Sequence, residues 1–158
     1  MESKKKKVGI ISDTHGLFRP QIKEKFADCD VIVHGGDIGN ISVIHSLEEI
    51  APVTAVYGNI DQGLLCKKYD KTEVFEFNDF LIYIIHDLQQ LKVESKSADI
   101  DIIVFCHSHQ PYHKYKNGVL YINPGSAGPK RFELPISAAV LEIDKKNEIN
   151  INYLDLSD

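Results

Sequence analysis

The sequence contains no tryptophan, a single methionine and only three cysteines among its 158 residues. Cys29, Cys66 and Cys106 are odd in number and widely spaced, which argues against a disulfide framework and against a zinc finger built on paired cysteines. We therefore expect reduced thiols in a cytoplasmic protein. The sequence also lacks an apolar run that could span a membrane, and the run that follows Lys7 is too short for a signal peptide.

Positive charge is in deficit. Lys and Arg number 18 against 23 Asp and Glu, which gives a net charge of −5 and an isoelectric point near 5.8. This balance argues against a broad nucleic-acid-binding surface. The basic run from Lys4 to Lys7 is the exception, and we interpret residues 1–7 as a flexible N-terminal tail. Since linkers, repeats and low-complexity tracts are absent, residues 1–158 are expected to form a single domain.

The first third of the chain alternates between apolar runs and segments in which Ile, Leu and Phe recur at helical spacing. The apolar runs lie at residues 8–12, 30–34 and 53–57. Because they show little polar alternation, they predict strands that are buried on both faces. Strands separated in this way are typical of parallel β-α-β units with right-handed crossovers.

Hairpin signals dominate the rest of the chain. The dipeptides Asn78-Asp79 and Asn117-Gly118 each separate two strand-like runs, as does the polar turn at residues 145–147. A helix is also predicted around residues 88–98. The chain offers too many strands for one small open sheet. We therefore predict two mixed β-sheets packed face to face with helices outside, a four-layer α/β/β/α sandwich.

Several predicted strands end in residues that commonly bind metals. These residues are Asp13, His15, Asp37, Asn59, His86, His107 and His109. The carboxyl ends of parallel strands form the crevice in which α/β sheets bind ligands, so these side chains are expected to converge. Carboxylate oxygens and imidazole nitrogens together suit Zn, Mn, Fe or Ni.

Several of these residues also have an ordinary structural interpretation when they are taken alone. The stretch with Asp13 and His15 could be a solvated turn that caps the next helix. Asp37 and Asn59 adjoin glycines and suit simple turns. His34 and His86 follow apolar runs and could be buried core histidines. Independent turns and core histidines have no reason to collect at one end of successive strands, so the joint interpretation is a metal site.

The motifs SDTHG, HGGD, GNID, CHSHQP and YINPGS occur in the order and spacing of the calcineurin-like metallophosphoesterases. The match spans roughly residues 8 to 143. The chain most resembles the small phosphodiesterase branch that includes the bacterial YfcE proteins and the retromer subunit Vps29. The resemblance implies that Asp13, His15 and His109 bind a first metal, that Asn59, His86 and His107 bind a second, and that Asp37 bridges both.

The resemblance also implies an activity, that of a metal-dependent phosphodiesterase. This is a hydrolase that cleaves phosphoric ester bonds of a small-molecule or nucleotide-like diester by attack of a metal-bridging hydroxide. Two divalent transition-metal ions are expected, with manganese favoured and nickel, zinc or iron as alternatives. The catalytic residues would be Asn59, Asp37, His109 and Asp61. We assign Asp61 to the orientation of a histidine ligand rather than to direct catalysis.

Position 60 departs from the family pattern. Many larger members have a histidine there that protonates the leaving group, whereas this chain has Ile60. Activity should therefore favour esters whose leaving group needs little protonation, unless Asp61 or His113 takes over as the general acid. A phosphomonoesterase is a weaker hypothesis than a phosphodiesterase, because alkyl monoesters would need the missing acid most. The departure keeps an alternative open, a Vps29-like protein-interaction scaffold with weak or no hydrolysis. Exposed edge strands also allow a homodimer.

Overall fold

The computed structural model describes residues 5–91 and 99–157. Within these ranges the strands are β1 Lys6–Ile11, β2 Val31–His34, β3 Val53–Ala55, β4 Thr72–Phe77, β5 Phe80–Ile85, β6 Ile102–Phe105, β7 Tyr112–Lys116, β8 Val119–Asn123, β9 Ser137–Ile143 and β10 Ile149–Asp155. The α-helices are α1 Gln21–Lys25, α2 Ile41–Glu48 and α3 Leu64–Lys68. A 3-10 turn at Leu88–Gln90 follows β5.

The strands form two five-stranded sheets. The first has the order β10-β9-β1-β2-β3, in which β1, β2 and β3 are parallel and β9 is antiparallel to both of its neighbours. The second has the order β4-β5-β6-β8-β7, in which β5, β6 and β8 are parallel and the two edge strands are antiparallel. Both sheets are therefore mixed, as predicted.

Buried aliphatic side chains hold the two sheets together. Ile10 and Leu141 from the first sheet pack with Ile84, Val104 and Leu120 from the second in one continuous cluster. The outer face of the first sheet packs against α1 and α2 in a second cluster. The predicted two-sheet sandwich is confirmed. The packed inner faces of the two sheets leave the ends of the strands open for a site.

Both dipeptide signals form tight hairpins. The φ angles are 50° and 71° at Asn78 and Asp79, and 53° and 80° at Asn117 and Gly118. Two consecutive positive φ angles give the turn that matches the twist of paired strands, and Asn, Asp and Gly accept that conformation most readily. The turns pair β4 with β5 and β7 with β8 directly.

The first strand begins earlier than predicted. β1 starts at Lys6, so the prediction of a flexible tail over residues 1–7 is wrong for Lys6 and Lys7, while residues 1–4 lie outside the described residues. Lys6 pairs with Ile143 of β9. The backbone N–H of Lys7 donates to the Asp30 carboxylate at 2.9 Å, and its ammonium lies 3.7 Å from Glu142. Strand pairing and acidic neighbours thus order this part of the basic run.

The helix predicted around residues 88–98 is a short 3-10 turn in its described part. Leu88–Gln90 begins with Asp87, whose carboxylate accepts a hydrogen bond from the N–H of Gln89 at 3.0 Å. Residues 92–98 lie outside the described residues. In the described ranges, no helix has the length and apolarity needed to cross a membrane.

The three cysteines form no disulfide, as predicted. Burial raises the pKa of the Cys29 thiol to about 12 and raises that of Cys106 well above its ordinary value. Both thiols are therefore protonated and unreactive at neutral pH. Cys66 is exposed, and its thiol donates to the carbonyl of Asp61 at 3.1 Å.

Phe26, just after α1, provides a test of the packing on the first sheet. Its ring is fully buried, and a Cβ built on Gly9 of β1 would lie 3.1 Å from it. Phe26→Ala should lower the free energy of unfolding by about 3–5 kcal/mol in urea denaturation, because it removes a buried ring and leaves a cavity. Phe132, which is 91% exposed, supplies the control, and Phe132→Ala should change stability by less than about 0.5 kcal/mol. A similar loss in both variants would contradict this packing.

Candidate metal centre

The loops that follow five strands meet at one edge of the sandwich. The N–H of Asp13, after β1, donates to the carbonyl of Gly36 after β2 at 3.0 Å. The N–H of His15 donates to the carbonyl of Asp37, also at 3.0 Å. In the second sheet, the N–H of Cys106 donates to the carbonyl of His86 at 2.9 Å. Backbone hydrogen bonds thus fix the ligand-bearing loops against one another.

Six of the seven predicted metal ligands fall into two groups. Within each group the possible ligand atoms lie within 4.8 Å of one another. The first group is Asp13, His15 and His109, and the second is Asp37, His86 and His107. The structure therefore brings together the residues that the resemblance assigned to the first metal, and it places Asp37 with the two histidines assigned to the second.

The two groups adjoin through their carboxylates. Oδ2 of Asp37 lies 3.2 Å from Nε2 of His86 and 3.9 Å from Nε2 of His15. Oδ1 of Asp13 lies 3.4 Å from Nε2 of His109 and 3.8 Å from Nε2 of His86. Each carboxylate thus faces a histidine of its own group and one of the other group. A carboxylate that bridges two metal ions must lie between the two ligand groups in this way.

The carboxylates make this space strongly favourable to positive charge. Burial by itself would raise the pKa of the Asp37 carboxyl. The His86 ring 3.2 Å away, the hydrogen bond from the N–H of Ile60 and the charge that nearby histidines can carry outweigh burial and lower that pKa to about 2. Burial likewise opposes a charge on His86, but Asp37 and Asp13 raise the pKa of its ring. A proton or a metal cation can supply the positive charge that this arrangement favours.

Buried polar atoms that have no hydrogen-bond partner among the described residues test whether a metal fits. They include Oδ1 of Asp13 and Nε2 of His15 and His86. An unpartnered buried carboxylate oxygen is costly. Nδ1 of His86 lies 2.8 Å from the carbonyl of Gly35, and because a carbonyl only accepts, Nδ1 carries the proton. In the neutral ring this leaves the lone pair of Nε2 available to a metal. The donor set fits a divalent transition-metal ion.

Backbone strain is concentrated at the two groups. Five of their six residues have φ in the left-handed region: Asp13 at 56°, His15 at 49°, Asp37 at 54°, His107 at 77° and His109 at 64°. Residues other than glycine rarely adopt this region, at a cost of about 1–3 kcal/mol each where they are strained. Such strain persists where the surrounding structure enforces it, and it is typical of functional sites.

His34 is a core histidine that supports these loops. The N–H of Gly36 donates to its Nδ1 at 3.1 Å, so its other nitrogen carries the proton and donates to the hydroxyl of Thr14 at 3.0 Å. That hydroxyl in turn donates to the carbonyl of Ile38 at 2.9 Å. Burial lowers the pKa of His34 to about 4, so the ring is neutral near pH 7. Thr14 lies in the SDTHG motif, but no role was predicted for it from the sequence.

Asp61 lies buried behind the centre and contacts backbone. Its carboxylate accepts hydrogen bonds from the N–H groups of Ile38 at 3.1 Å, Gly39 at 2.9 Å and Gly58 at 2.8 Å. It therefore orients the loops after β2 and β3, and not a histidine ligand, which corrects the role predicted for it. Both oxygens are engaged, so Asp61 is poorly placed to protonate a leaving group.

Asn59, the seventh predicted ligand, is exposed. It lines a cavity of about 350 Å³ beside His86. Lys71 lines the same cavity, because a parallel bridge between Val56 and Asp70 brings the start of β4 next to the end of β3. Lys71 was not predicted, since nothing in the order of the motifs reveals this bridge.

Two further residues differ from expectation. His113, considered as a substitute acid, stacks on Tyr153 of β10, with its Nδ1 2.8 Å from the tyrosine hydroxyl. Asn123, at the end of β8, was given no role although it belongs to the YINPGS motif. Its amide donates to the hydroxyl of Ser108 at 3.1 Å and accepts from the N–H of Gly125 at 2.9 Å. Since Ser108 lies between the ligands of the CHSHQP motif, Asn123 anchors their loop.

A two-sheet sandwich with paired carboxylate and histidine groups at its strand ends defines a metallophosphoesterase type of centre. Residues 7–146 match the family model of the calcineurin-like phosphoesterase superfamily domain, and the chain belongs to that superfamily. A probable metallophosphoesterase of Methanothermobacter thermautotrophicus is 32% identical over 149 residues, covering 87% of this chain and 86% of the relative. A phosphodiesterase of Methanocaldococcus jannaschii is 31% identical over 160 residues, covering 89% and 95%.

Solved structures extend the comparison to the fold. A predicted phosphoesterase from Streptococcus pneumoniae superposes with a TM-score of 0.78 at 23% identity, covering 98% of this chain and 91% of that one. The Vps29 of Cryptosporidium parvum superposes with a TM-score of 0.77 at 19% identity, covering 99% and 100%. At these identities the likeness shows the fold alone. The predicted membership of the superfamily is confirmed, and the fold is shared by a predicted phosphoesterase and by Vps29.

Asp61 provides a test of how the loops are held. Asp61→Asn places an amide NH₂ among backbone donors, and we expect it to lower the free energy of unfolding by about 2 kcal/mol, because at least one buried N–H loses its acceptor. Asp79→Asn is the matched control, since asparagine suits the hairpin turn there and stability should change little. Thermal or urea denaturation measures both. Equal stability of the two variants would show that the three hydrogen bonds to Asp61 are unimportant.

Proposed function

We propose that the chain is a dinuclear metal-dependent phosphodiesterase. The observation that carries this proposal is the pair of adjoining ligand groups, whose buried Asp13 and Asp37 carboxylates each face histidines of both groups. One divalent ion would be held by Asp13, His15, Asp37 and His109, and the other by Asp37, Asn59, His86 and His107. Such ions supply Lewis acidity toward phosphate oxygens and lower the pKa of water.

The chain's own residues orient the centre and the substrate. The carbonyl of Gly35 fixes the tautomer of His86, and Ser12 donates its hydroxyl to Oδ2 of Asp13 at 2.7 Å. In the adjacent cavity, the Asn59 amide and the Lys71 ammonium supply donors suited to phosphate oxygens. The nitrogen and oxygen ligands suit manganese, which we favour, as well as nickel, zinc or iron.

Position 60 decides which leaving groups the centre can release. The Ile60 side chain is 44% exposed, and its N–H donates to Oδ1 of Asp37 at 3.0 Å, so the residue lies beside the second ligand group. It has no proton to donate, and the hydrogen bonds of Asp61 and His113 engage both elsewhere. Diesters with a stable leaving anion are therefore better substrates than alkyl monoesters. The name of the M. jannaschii phosphodiesterase agrees with this preference.

A protein-interaction scaffold is the second candidate. Leu17 and Ile60 are exposed, and each lies within two positions of a proposed ligand. An apolar rim of this kind suits a protein partner. The enzyme is favoured because a scaffold has no need for two adjoining ligand groups in which buried atoms of Asp13 and His86 have no hydrogen-bond partner among the described residues.

The first test is metal dependence. Metal-free protein should not hydrolyse bis(4-nitrophenyl) phosphate, and added Mn²⁺, Ni²⁺ or Zn²⁺ should restore turnover. Asp37→Ala should lower kcat/KM by about a hundredfold or more and reduce the bound metal below two ions per chain, because this residue faces both groups. Asp79→Ala serves as the control and should keep both properties. If no metal restored turnover while circular dichroism showed folded protein, the enzyme would be rejected in favour of the scaffold.

The second test concerns protonation. Ile60→His should raise kcat for alkyl phosphodiesters by about tenfold or more, because a positioned general acid contributes about 10²–10⁴. Turnover of bis(4-nitrophenyl) phosphate should change by less than about twofold, since its leaving group needs little protonation. Ile60→Asn, which is polar but cannot act as an acid, is the control. An increase below twofold on alkyl diesters would show that position 60 does not limit protonation.

A further inference from the structure

The cavity of about 350 Å³ that Asn59 shares with His86 contains one positively charged side chain. It is here called the Lys71 cavity, and its polar lining includes Asn59, Lys71, His86, Asp87 and Gln90. Among the described residues that line it, there is no arginine and no second lysine. Since His86 lines the cavity and also belongs to the second ligand group, the cavity and the metal centre adjoin directly.

Strand pairing places Lys71 across from His86. Thr72 of β4 pairs with Ile85 of β5, so Lys71 and His86 are the next opposite residues at that end of the pair. Opposite residues of an antiparallel pair share a face, with Cα atoms about 4.5–5.5 Å apart. The parallel bridge to the end of β3 holds this part of the chain in place. The ammonium of Lys71 therefore lies within about one side-chain length of the second ligand group.

The Lys71 cavity offers free hydrogen-bond donors, whereas its carboxylates are already engaged. Asp87 accepts a hydrogen bond from the N–H of Gln89 at 3.0 Å, and Asp61 accepts from three backbone N–H groups. Over residues 5–91 and 99–157, the ammonium of Lys71 and the side-chain amide of Gln90 have no hydrogen bond or ion pair. Donors that lack protein acceptors, one of them a cation, are suited to an anion.

The geometry of hydrolysis decides which part of a diester can reach Lys71. In phosphoryl transfer the attacking and leaving oxygens lie roughly in line across the phosphorus. When water attacks from the side of the ligand groups, the leaving group points away from them, while the ester arm that stays on the phosphorus, here called the retained arm, points sideways. Among the described residues, none of the first ligand group lines the Lys71 cavity, so it lies to one side of the centre and suits the retained arm. Its volume is at the lower end of the roughly 300–1,000 Å³ of ligand sites, which fits a short arm.

We propose that the Lys71 cavity selects phosphodiesters whose retained arm carries a second anionic group, a phosphate or a carboxylate, which Lys71 and Gln90 bind. Hydrolysis forms a bond from the phosphorus to the oxygen of water and breaks the bond to the other arm. The electron pair stays on the departing oxygen, the protons of water pass to the products and solvent, and the anionic arm remains on the phosphate monoester product. This role in hydrolysis rests on the proposed function, whereas binding of the second anion does not require hydrolysis.

Three diesters with the same leaving group test this preference. The retained arm is 2-(phosphonooxy)ethyl, 3-carboxypropyl or, as the neutral reference, 2-methoxyethyl, and 4-nitrophenolate leaves from each. With Mn²⁺, wild type should show a kcat/KM at least about fivefold higher for one of the anionic diesters than for the neutral one, and the larger of the two preferences identifies the anion. Because the leaving group is shared, the difference reports the retained arm. Equal kcat/KM on all three diesters, or lower values on both anionic ones, would overturn the proposal.

Variants at Lys71 test which residue provides the preference. Lys71→Gln should lower the ratio of kcat/KM for the anionic diester to that for the neutral diester to below about twofold, because it removes the charge and keeps a polar side chain. Lys71→Arg should keep the ratio within about threefold of wild type. Gln90→Ala should lower it about twofold or more, since it removes a neutral donor. Lys67→Gln changes an exposed lysine of α3 that does not line the cavity, and it should leave the ratio unchanged within about twofold.

The ratio also distinguishes this role from other roles of Lys71. Partial loss of folded protein lowers kcat/KM for both diesters together and leaves their ratio unchanged. An equal loss on the anionic and neutral diesters in Lys71→Gln would show that the ammonium acts on the reacting phosphate or on the fold, and it would overturn the proposal.

Binding separates this inference from the proposed function. In calorimetry with Mn²⁺-loaded protein, ethylene glycol bisphosphate should bind at least about fivefold more tightly than ethyl phosphate, and Lys71→Gln should reduce that ratio to below about twofold. Equal ratios in wild type and Lys71→Gln would overturn the proposal. Hydrolysis of the neutral diester without any preference for a second anion would refute the role of the Lys71 cavity alone. The expected binding ratios without turnover of any diester would refute the proposed function and leave the Lys71 cavity as an anion site.

Discussion

Two buried carboxylates that face the same small space are the constraint on which the rest of the centre depends. Asp13 and Asp37 repel one another, and each needs a cation within a few ångströms to offset the cost of burial. Histidine rings supply part of the surroundings, but Oδ1 of Asp13 still lacks a hydrogen-bond donor. The backbone must also approach closely, because a Cβ at Gly58 would clash with Oδ1 of Asp37. The loops are shaped by this demand for positive charge.

Contacts within the sandwich stabilise the strained backbone of the metal centre. Left-handed φ angles at five ligand residues are unfavourable, so other contacts must hold the loops in place. Asp61 ties the loops after β2 and β3, the chain from His34 to Thr14 ties those after β1 and β2, and Asn123 fixes the loop after β6. These contacts are buried or half-buried, and each leads to a strand whose side chains belong to the core. A cation bound only by the folded chain would add stability by mass action.

The sequence allowed prediction of the features that have a local cause. Apolar runs and turn residues predicted the strands and hairpins, and the polar residues at strand ends predicted that the ligands converge, while their division into two groups came from the family resemblance. Features that depend on pairing between strands far apart in the sequence were not predicted. Lys7 lies in a strand because β9 pairs with it, and Lys71 reaches the cavity through a bridge to β3. Asp61 could not be assigned correctly, since its partners are backbone groups whose direction no residue type reveals.

Ile60 limits the chemistry of the centre as much as the ligands enable it. Its N–H donates to Oδ1 of Asp37 at 3.0 Å and its side chain is 44% exposed, so the residue lies beside the second ligand group, yet it has no proton to donate. A centre that cannot protonate its leaving group depends on substrates whose leaving group is already a stable anion.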